Sequence, residues 1–206
     1  MRKSQWLLAG VLASGLVAAG CAMHRESASR PKPEPETSKA VSPEFTAAQR
    51  VDRGKYLVSI AGCSDCHTPF KMTPNGPEPD MSRFLAGHPQ EFKLASGPKP
   101  DEVWIWSGTG SNTAFSGPWG ISYSINLTPD KISGLGAVWD ESRFIKAMRT
   151  GRHFGESRPI LPPMPWQGLS KATDEDLKSI WAYLQSVPPV HNEVPTVVPP
   201  GGPVRQ

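Results

Sequence analysis

The sequence has few cysteines and little net charge for its 206 residues. Three cysteines, at positions 21, 63 and 66, are too few for a disulfide framework. The 22 Lys and Arg stand against 19 Asp and Glu, and a net charge of +3 excludes a nucleic-acid binder defined by its basicity. Only 37% of the residues are hydrophobic, which argues against a protein with several membrane spans. The chain is instead rich in residues that interrupt regular structure, with 23 Pro and 19 Gly.

The first 20 residues have the features of a bacterial export signal. Arg2 and Lys3 precede an uncharged apolar run, which is interrupted by glycine and shorter than the ~20 residues that a bilayer span needs. The run ends in Val17-Ala18-Ala19-Gly20-Cys21, which resembles the lipobox of bacterial lipoproteins. The alternative is an ordinary signal peptide with a chance cysteine. We predict lipidation of Cys21 and a periplasmic protein that is lipid-anchored to a bacterial membrane, and the non-acidic Ala22 favours the outer membrane.

Composition divides the rest of the chain into three parts. Residues 21–43 are rich in Pro and nearly free of aliphatic and aromatic side chains, which predicts a solvated tether. Residues 44–187 are enough for one folded domain. Residues 188–206 contain six further Pro and form a predicted Pro-rich tail.

Three helices are predicted in the domain. Apolar residues at mostly helical spacing predict the first, from about Pro43 to Gly62. Asp140 is a suitable N-cap for the second, and Gly151 is a suitable stop. The third begins at an acidic turn after Thr173 and continues with apolar residues at helical spacing, before ending ahead of two prolines.

The sequence Cys63-Ser64-Asp65-Cys66-His67 follows the first helix. C-x-x-C-H is the attachment sequence for c-type haem, in which two cysteines bind the porphyrin and the histidine binds the iron. A thioredoxin-like redox pair or half of a zinc site are the alternatives. Zinc needs two further soft ligands, and a redox pair normally follows a strand. We therefore predict one covalent haem c held by Cys63, Cys66 and His67.

A second axial ligand must come from elsewhere in the chain. The candidates are Met72, Met81, Met164, His88 and His153. Met164 lies among three prolines, which fix the direction of its thioether at little further entropic cost. We predict that Met164 is the second ligand.

With these motifs the chain resembles a class I cytochrome c with one haem. Gly54-x-Tyr56 in the first helix and Trp181-x-Tyr183 in the last resemble the family's crossing pair, in which a small residue lets an aromatic side chain from the other helix approach. Several longer matches resemble haem modules in the cytochrome subunits of periplasmic bacterial dehydrogenases: Ala61–Thr68, Asn126–Asp130, Gly134–Gly136, Phe144–Gly151, Pro163–Trp166 and Thr173–Leu177. The resemblance implies an all-α cytochrome c fold, with three main helices around one haem and a long irregular loop insertion.

The inserted loop spans about residues 69–136 and carries several aromatic residues. They are predicted to cover the haem edge, and a docking loop for a partner is the alternative: Trp104, Trp106, Phe115, Trp119 and Tyr123. Four polar residues are candidates for contact with a haem propionate, and solvated surface positions are the alternative: Asn126, Thr128, Arg149 and Arg152.

The predicted ligands define the predicted function. With His67 and Met164 both on the iron, no open position remains for a substrate, which predicts an electron carrier and not an enzyme. The predicted partners are a dehydrogenase or a terminal oxidase, with no role for nucleic acid. The alternative is a haem enzyme or gas sensor in which the methionine is displaced.

Overall fold

The computed structural model describes residues 45–94, 96–98, 101 and 103–204. The predicted signal peptide, the tether and Cys21 lie outside these ranges. Helix α1 (Ala47–Ile60) leads into the short helix α2 (Cys63–His67), which contains the C-x-x-C-H sequence. Thr46 and Gln49 form a reciprocal capping box at the start of α1. Between the two helices, Gly62 has the left-handed φ of 66° that favours glycine, and this residue turns the chain.

The other two predicted helices are confirmed. After the one-turn helix α3 (Leu135–Val138), helix α4 (Glu141–Thr150) begins behind Asp140, whose carboxylate accepts a hydrogen bond from Arg143 N. It ends at Gly151, which is left-handed with a φ of 66°. After the one-turn helix α5 (Trp166–Leu169), helix α6 (Asp174–Ser186) is capped by the Thr173 side chain.

Helices α1 and α6 cross at Gly54, as the resemblance implies. A Cβ atom at Gly54 would lie 1.9 Å from the Ser179 carbonyl oxygen and 2.7 Å from Tyr183 Cβ, so only glycine permits this close approach. Two ion pairs flank the crossing, Arg50–Glu175 at 3.0 Å and Arg53–Asp176 at 2.9 Å. The crossing therefore fixes the two ends of the domain against each other.

The prediction of an all-α fold is wrong. The stretch predicted as an irregular loop contains five short strands: β1 (Phe70–Thr73), β2 (Gly76–Pro79), β3 (Ser107–Gly108), β4 (Ala114–Gly117) and β5 (Gly120–Tyr123). Strands β1 and β2 pair as one antiparallel hairpin, and β3, β4 and β5 form a three-stranded antiparallel sheet. Each strand has four residues or fewer, so no alternating pattern is long enough to stand out in the sequence.

Two buried clusters hold the helices and the larger sheet. The first joins side chains from the helices and their connections: Val58, Leu85, Leu135, Phe144, Ala147, Met148, Leu177, Ile180, Leu184 and Val187. The second lies on the sheet: Ala114, Ile121, Tyr123 and Val198. Residues of the helices and of the larger sheet line one common cavity, where the candidate site lies.

The Pro-rich segment after α6 lies against the domain. Ile121 and Val198 exchange two backbone hydrogen bonds of 2.8 and 3.0 Å, as a single antiparallel bridge. Asn192 is buried, and its side-chain amide donates to the carbonyl oxygens of Ala86 and His88 while its oxygen accepts from Gln90 N. The segment is thus held in place despite its prolines, because the side chain of Asn192 supplies hydrogen bonds to the rest of the domain.

Across the part of the chain that the structure describes, no helix has both the length and the apolar character needed to cross a membrane.

Candidate functional site

A mostly apolar cavity lies between the helices and the larger sheet. Its volume is about 150 Å³. One buried water needs only about 10–15 Å³, and voids larger than a water molecule are few in protein interiors. The lining includes both cysteines and the histidine of α2, together with Met164. The cavity therefore has the size and lining of a ligand site.

Both cysteines of α2 are free thiols on the cavity wall. Burial raises the pKa of the Cys63 thiol to about 11, and burial also raises the pKa of Cys66. Both side chains are thus held as neutral thiols. One helical turn separates the two residues, so both sulfur atoms are available to one ligand in the cavity.

His67 is buried and has a fixed tautomer. Its Nδ1 atom lies 2.8 Å from the carbonyl oxygen of Ile125, and a carbonyl can only accept, so Nδ1 carries the proton. The other ring nitrogen, Nε2, keeps its lone pair, and the described residues give it no hydrogen-bond partner. Burial lowers the pKa of His67, which favours the neutral ring. A neutral imidazole oriented through its second nitrogen is the usual form of a metal-ligating histidine.

Met164 reaches the same cavity from the loop between α4 and α5. This loop is fixed at two points, since Ile160 N donates to Gly151 O at 2.8 Å and the Ser122 hydroxyl donates to Pro162 O at 2.6 Å. The second contact joins the loop to strand β5. The loop that carries the thioether is therefore held by contacts to the end of α4 and to the sheet, in addition to the prolines beside Met164.

The other predicted axial candidates differ in position. Met72 and Met81 are 77% and 63% exposed and do not line the cavity. His88 is fully buried, but both ring nitrogens have partners, with Nδ1 at 2.9 Å from Thr113 Oγ1 and Nε2 at 3.1 Å from Phe92 O. His153 does line the cavity and packs edge-to-face on Trp139. Of the predicted candidates, Met164 and His153 are thus the two that line this cavity.

The four candidates for a propionate contact are engaged elsewhere. The Asn126 amide donates to Val190 O at 2.8 Å, and its oxygen accepts from the Thr128 hydroxyl at 2.8 Å. The Arg149 guanidinium binds Asp174 at 2.6 Å. The Arg152 guanidinium donates to Ser157 O at 2.7 Å. None of the four side chains lines the cavity.

Sequence reasoning missed Arg158, which lies in the same loop as Met164 and lines the cavity. Its position follows from the return of the chain after α4, where His153 N donates to Arg158 O at 2.9 Å and Arg152 bridges to Pro159. No residue pattern near Arg158 indicates this turn.

The aromatic residues of the inserted stretch divide into two groups. Phe115 and Tyr123 line the cavity, as a cover over a ligand requires. Trp104 and Trp106 are 69% and 47% exposed and lie away from it. The Trp119 ring nitrogen donates to the Ser122 hydroxyl, which also holds the methionine loop.

The donor set fits an iron porphyrin that is attached to the chain through cysteine sulfur atoms. An apolar cavity suits the macrocycle, two thiols suit covalent attachment, and an imidazole and a thioether suit axial ligation. Within the described residues, no group of three or more His, Cys, Asp or Glu is arranged to hold a metal ion. The roles of Cys63, Cys66, His67 and Met164 stay predictions.

The chain is similar to cytochrome subunits of dehydrogenases. It is 32% identical over 136 residues to the fructose dehydrogenase cytochrome subunit of Gluconobacter japonicus, covering 66% of this chain and 21% of that protein. It is 30% identical over 142 residues to the gluconate 2-dehydrogenase cytochrome c subunit of Pantoea cypripedii, covering 68% and 24%. The cytochrome c subunit of the alcohol dehydrogenase (quinone) of Gluconobacter oxydans is 25% identical over 150 residues, covering 71% and 24%. No protein-family model matches the chain.

The chain spans about a quarter or less of the length of these relatives. The predicted similarity to dehydrogenase cytochrome subunits is confirmed. It indicates a cytochrome c-like module in this chain. Class I membership, a single haem and the lipoprotein signal stay predictions.

Proposed function

We propose that this protein is a monohaem electron carrier of class I cytochrome c type, tethered by a lipid on the periplasmic side of a bacterial membrane. The observation that supports it best is the common cavity lined by Cys63, Cys66, His67 and Met164. The similarity to dehydrogenase cytochrome subunits supports the same role.

The two thiols are proposed to attach one haem covalently. With haem bound, each S–H would add across one vinyl group, so that a C–S bond would form and the hydrogen would go to the second vinyl carbon. The addition needs no oxidant and has no leaving group. The free, neutral state of Cys63 and Cys66 is compatible with it.

His67 and Met164 are proposed as the two residues that would bind the haem iron. Ile125 O orients the imidazole by accepting from Nδ1, which leaves Nε2 for the iron. Ser122 holds the methionine loop against the sheet. When bound, the haem supplies a one-electron couple, and thioether ligation favours a higher potential than two histidines do. Phe115, Phe144 and Leu177 exclude water from the cavity wall.

The proposed ligation makes the protein a carrier and not an enzyme. With two protein ligands, the iron would have no position open to a substrate, and its chemistry would be limited to gaining and losing an electron. A dehydrogenase is the proposed partner because the relatives are named as subunits of dehydrogenases, and a terminal oxidase is the alternative acceptor. The proposed export and anchoring rest on residues 1–21 of the sequence.

Near-infrared absorption of the full-length holoprotein tests the methionine ligand. The wild type is expected to show the sulfur-to-iron band, Met164→Ala to lose it, and Met72→Ala, the matched control at an exposed site, to keep it. A band that survives in Met164→Ala would contradict the assignment. Carbon monoxide titration of the reduced wild type tests the carrier role, because rapid stoichiometric binding at neutral pH requires an open or easily displaced position.

A further inference from the structure

Arg158 carries a positive charge with no carboxylate partner among the described residues. Seven arginines lie in these ranges, and five of them form ion pairs: Arg50, Arg53, Arg83, Arg143 and Arg149. Arg152 instead donates to a backbone carbonyl at 2.7 Å. The Arg158 guanidinium donates a hydrogen bond to the carbonyl oxygen of Pro159, and at 3.4 Å this bond is long.

This unmatched charge is on the wall of the candidate site. Arg158 lines the cavity while it remains open to solvent, and no Asp or Glu lines the cavity with it. Its charge is close to His153, whose pKa is lowered to about 4 by burial and by Arg158. Partial burial also lowers the pKa of the Arg158 guanidinium itself. An anionic group of a ligand at this edge would offset the repulsion between Arg158 and a protonated His153 and the cost of partly burying the Arg158 charge.

We infer that Arg158 binds a carboxylate of the ligand in this cavity, a propionate of the haem under the proposed function. Three observations carry the assignment. The guanidinium fork suits a carboxylate. The cavity wall supplies no competing acid. The polar residues that the sequence suggested for this contact are bound to other groups.

The contact has a consequence for the electron carrier. A carboxylate beside the iron favours the ferric state, and a guanidinium that neutralises it removes part of this preference. Arg158 therefore raises the reduction potential. Because the side chain is open to solvent, salt screens part of the effect.

Resonance Raman spectroscopy of the full-length holoprotein tests the contact directly, through the propionate bending bands. Arg158→Gln is expected to shift a bending band and to lower the reduction potential. Arg158→Lys keeps the charge but lacks the fork, so the band shifts while most of the potential is retained. Arg152→Gln is the matched control: it removes the same charge from the same loop, but its side chain does not line the cavity.

An unshifted band in both Arg158 variants overturns the inference, as does an equal shift in Arg152→Gln. If Arg158→Gln loads no haem, Arg158→Lys decides alone, because it keeps the charge and only the fork is lost. Failure of the proposed function gives a different result, since a wild type without covalent haem has no propionate bands at all.

Discussion

The crossing of α1 and α6 makes Gly54→Ala the most demanding test of the fold. The new Cβ would lie 1.9 Å from the carbonyl oxygen of Ser179 and 2.6 Å from its carbon. These are backbone atoms of a helix and cannot rotate away, so the two helices must separate by about 1.5 Å before the 1.9 Å approach becomes an ordinary contact. The separation would also disturb the Arg50–Glu175 ion pair and loosen the packing of Val58.

Two opposing effects set the magnitude. Alanine is a better helix former than glycine by about 0.8–1.0 kcal/mol. Overpacking costs about 1–3 kcal/mol, and a clash with backbone lies at or above the upper end of that range. We therefore expect Gly54→Ala to lower the free energy of unfolding by about 2 kcal/mol or more, which corresponds to a Tm lower by about 4–8 °C in a domain of this size.

Denaturant and thermal unfolding of the full-length holoprotein measure this loss. Gly168→Ala is the matched control, because a Cβ there meets nothing within 4 Å and the change is expected to be neutral or slightly stabilising. A Gly54→Ala variant as stable as the wild type would refute the close crossing. Equal losses in both variants would mean that the clash is not the cause.

Three further predictions concern pH, the C-terminal segment and the anchor. Burial lowers the pKa of His88, so the unfolded chain takes up a proton that the folded chain resists. Stability should therefore fall as the pH drops below about 6.5, and the fall should be smaller in His88→Gln than in His191→Gln, as chemical unfolding at pH 7.5 and 5.5 would show. Asn192→Ala removes three side-chain hydrogen bonds, two of them buried and one partly buried, and should lower stability by about 2–4 kcal/mol in urea unfolding. Cys21→Ala should abolish incorporation of a radioactive fatty acid.

Each of these predictions has a contradicting result. An equal pH dependence in the two histidine variants would exclude His88 as the source. Glu193→Ala, whose side chain is exposed, should change stability by less than about 0.5 kcal/mol, and an equally small loss in Asn192→Ala would contradict a fixed C-terminal segment. Fatty-acid label retained in Cys21→Ala would exclude lipidation at this residue.

The helices were predictable because their signals are local. Asp140 and Thr173 cap helices within three residues of their own positions, and Gly151 ends α4 by its own backbone conformation. Helix propensity does not predict the close crossing at Gly54, because glycine is a poor helix former. The crossing came only from the resemblance, because the partner residues are more than 100 positions away.

The strands were not predictable for the opposite reason. Strand β2 contains Pro77 and Pro79, and the turn between β4 and β5 contains Pro118 between two glycines, which composition assigns to irregular structure. Pairing with neighbouring strands and with Val198 fixes these segments. The fixed path of the C-terminal segment is likewise a tertiary effect that proline content conceals.

The candidate site divides in the same way. The attachment sequence and the proline-flanked Met164 are contiguous in the chain and could be read directly. Two residues contribute through contacts between positions far apart in the chain: Ile125 orients His67, and Ser122 holds the loop of Met164. Arg158 reaches the cavity because its loop reverses direction. No spacing in the sequence indicates any of these contacts. Arg149 has a charge that suits a propionate, which made it a candidate from the sequence, but its guanidinium binds Asp174 instead.

Covalent haem attachment is the central claim, and a pyridine haemochrome spectrum combined with the intact mass of the purified full-length protein tests it most directly. We expect a c-type spectrum and a mass increase of one haem that survives denaturation, and we expect the double variant Cys63→Ala with Cys66→Ala to lose both. A wild-type protein purified from a host competent in cytochrome c maturation that carries no covalent haem would contradict the account.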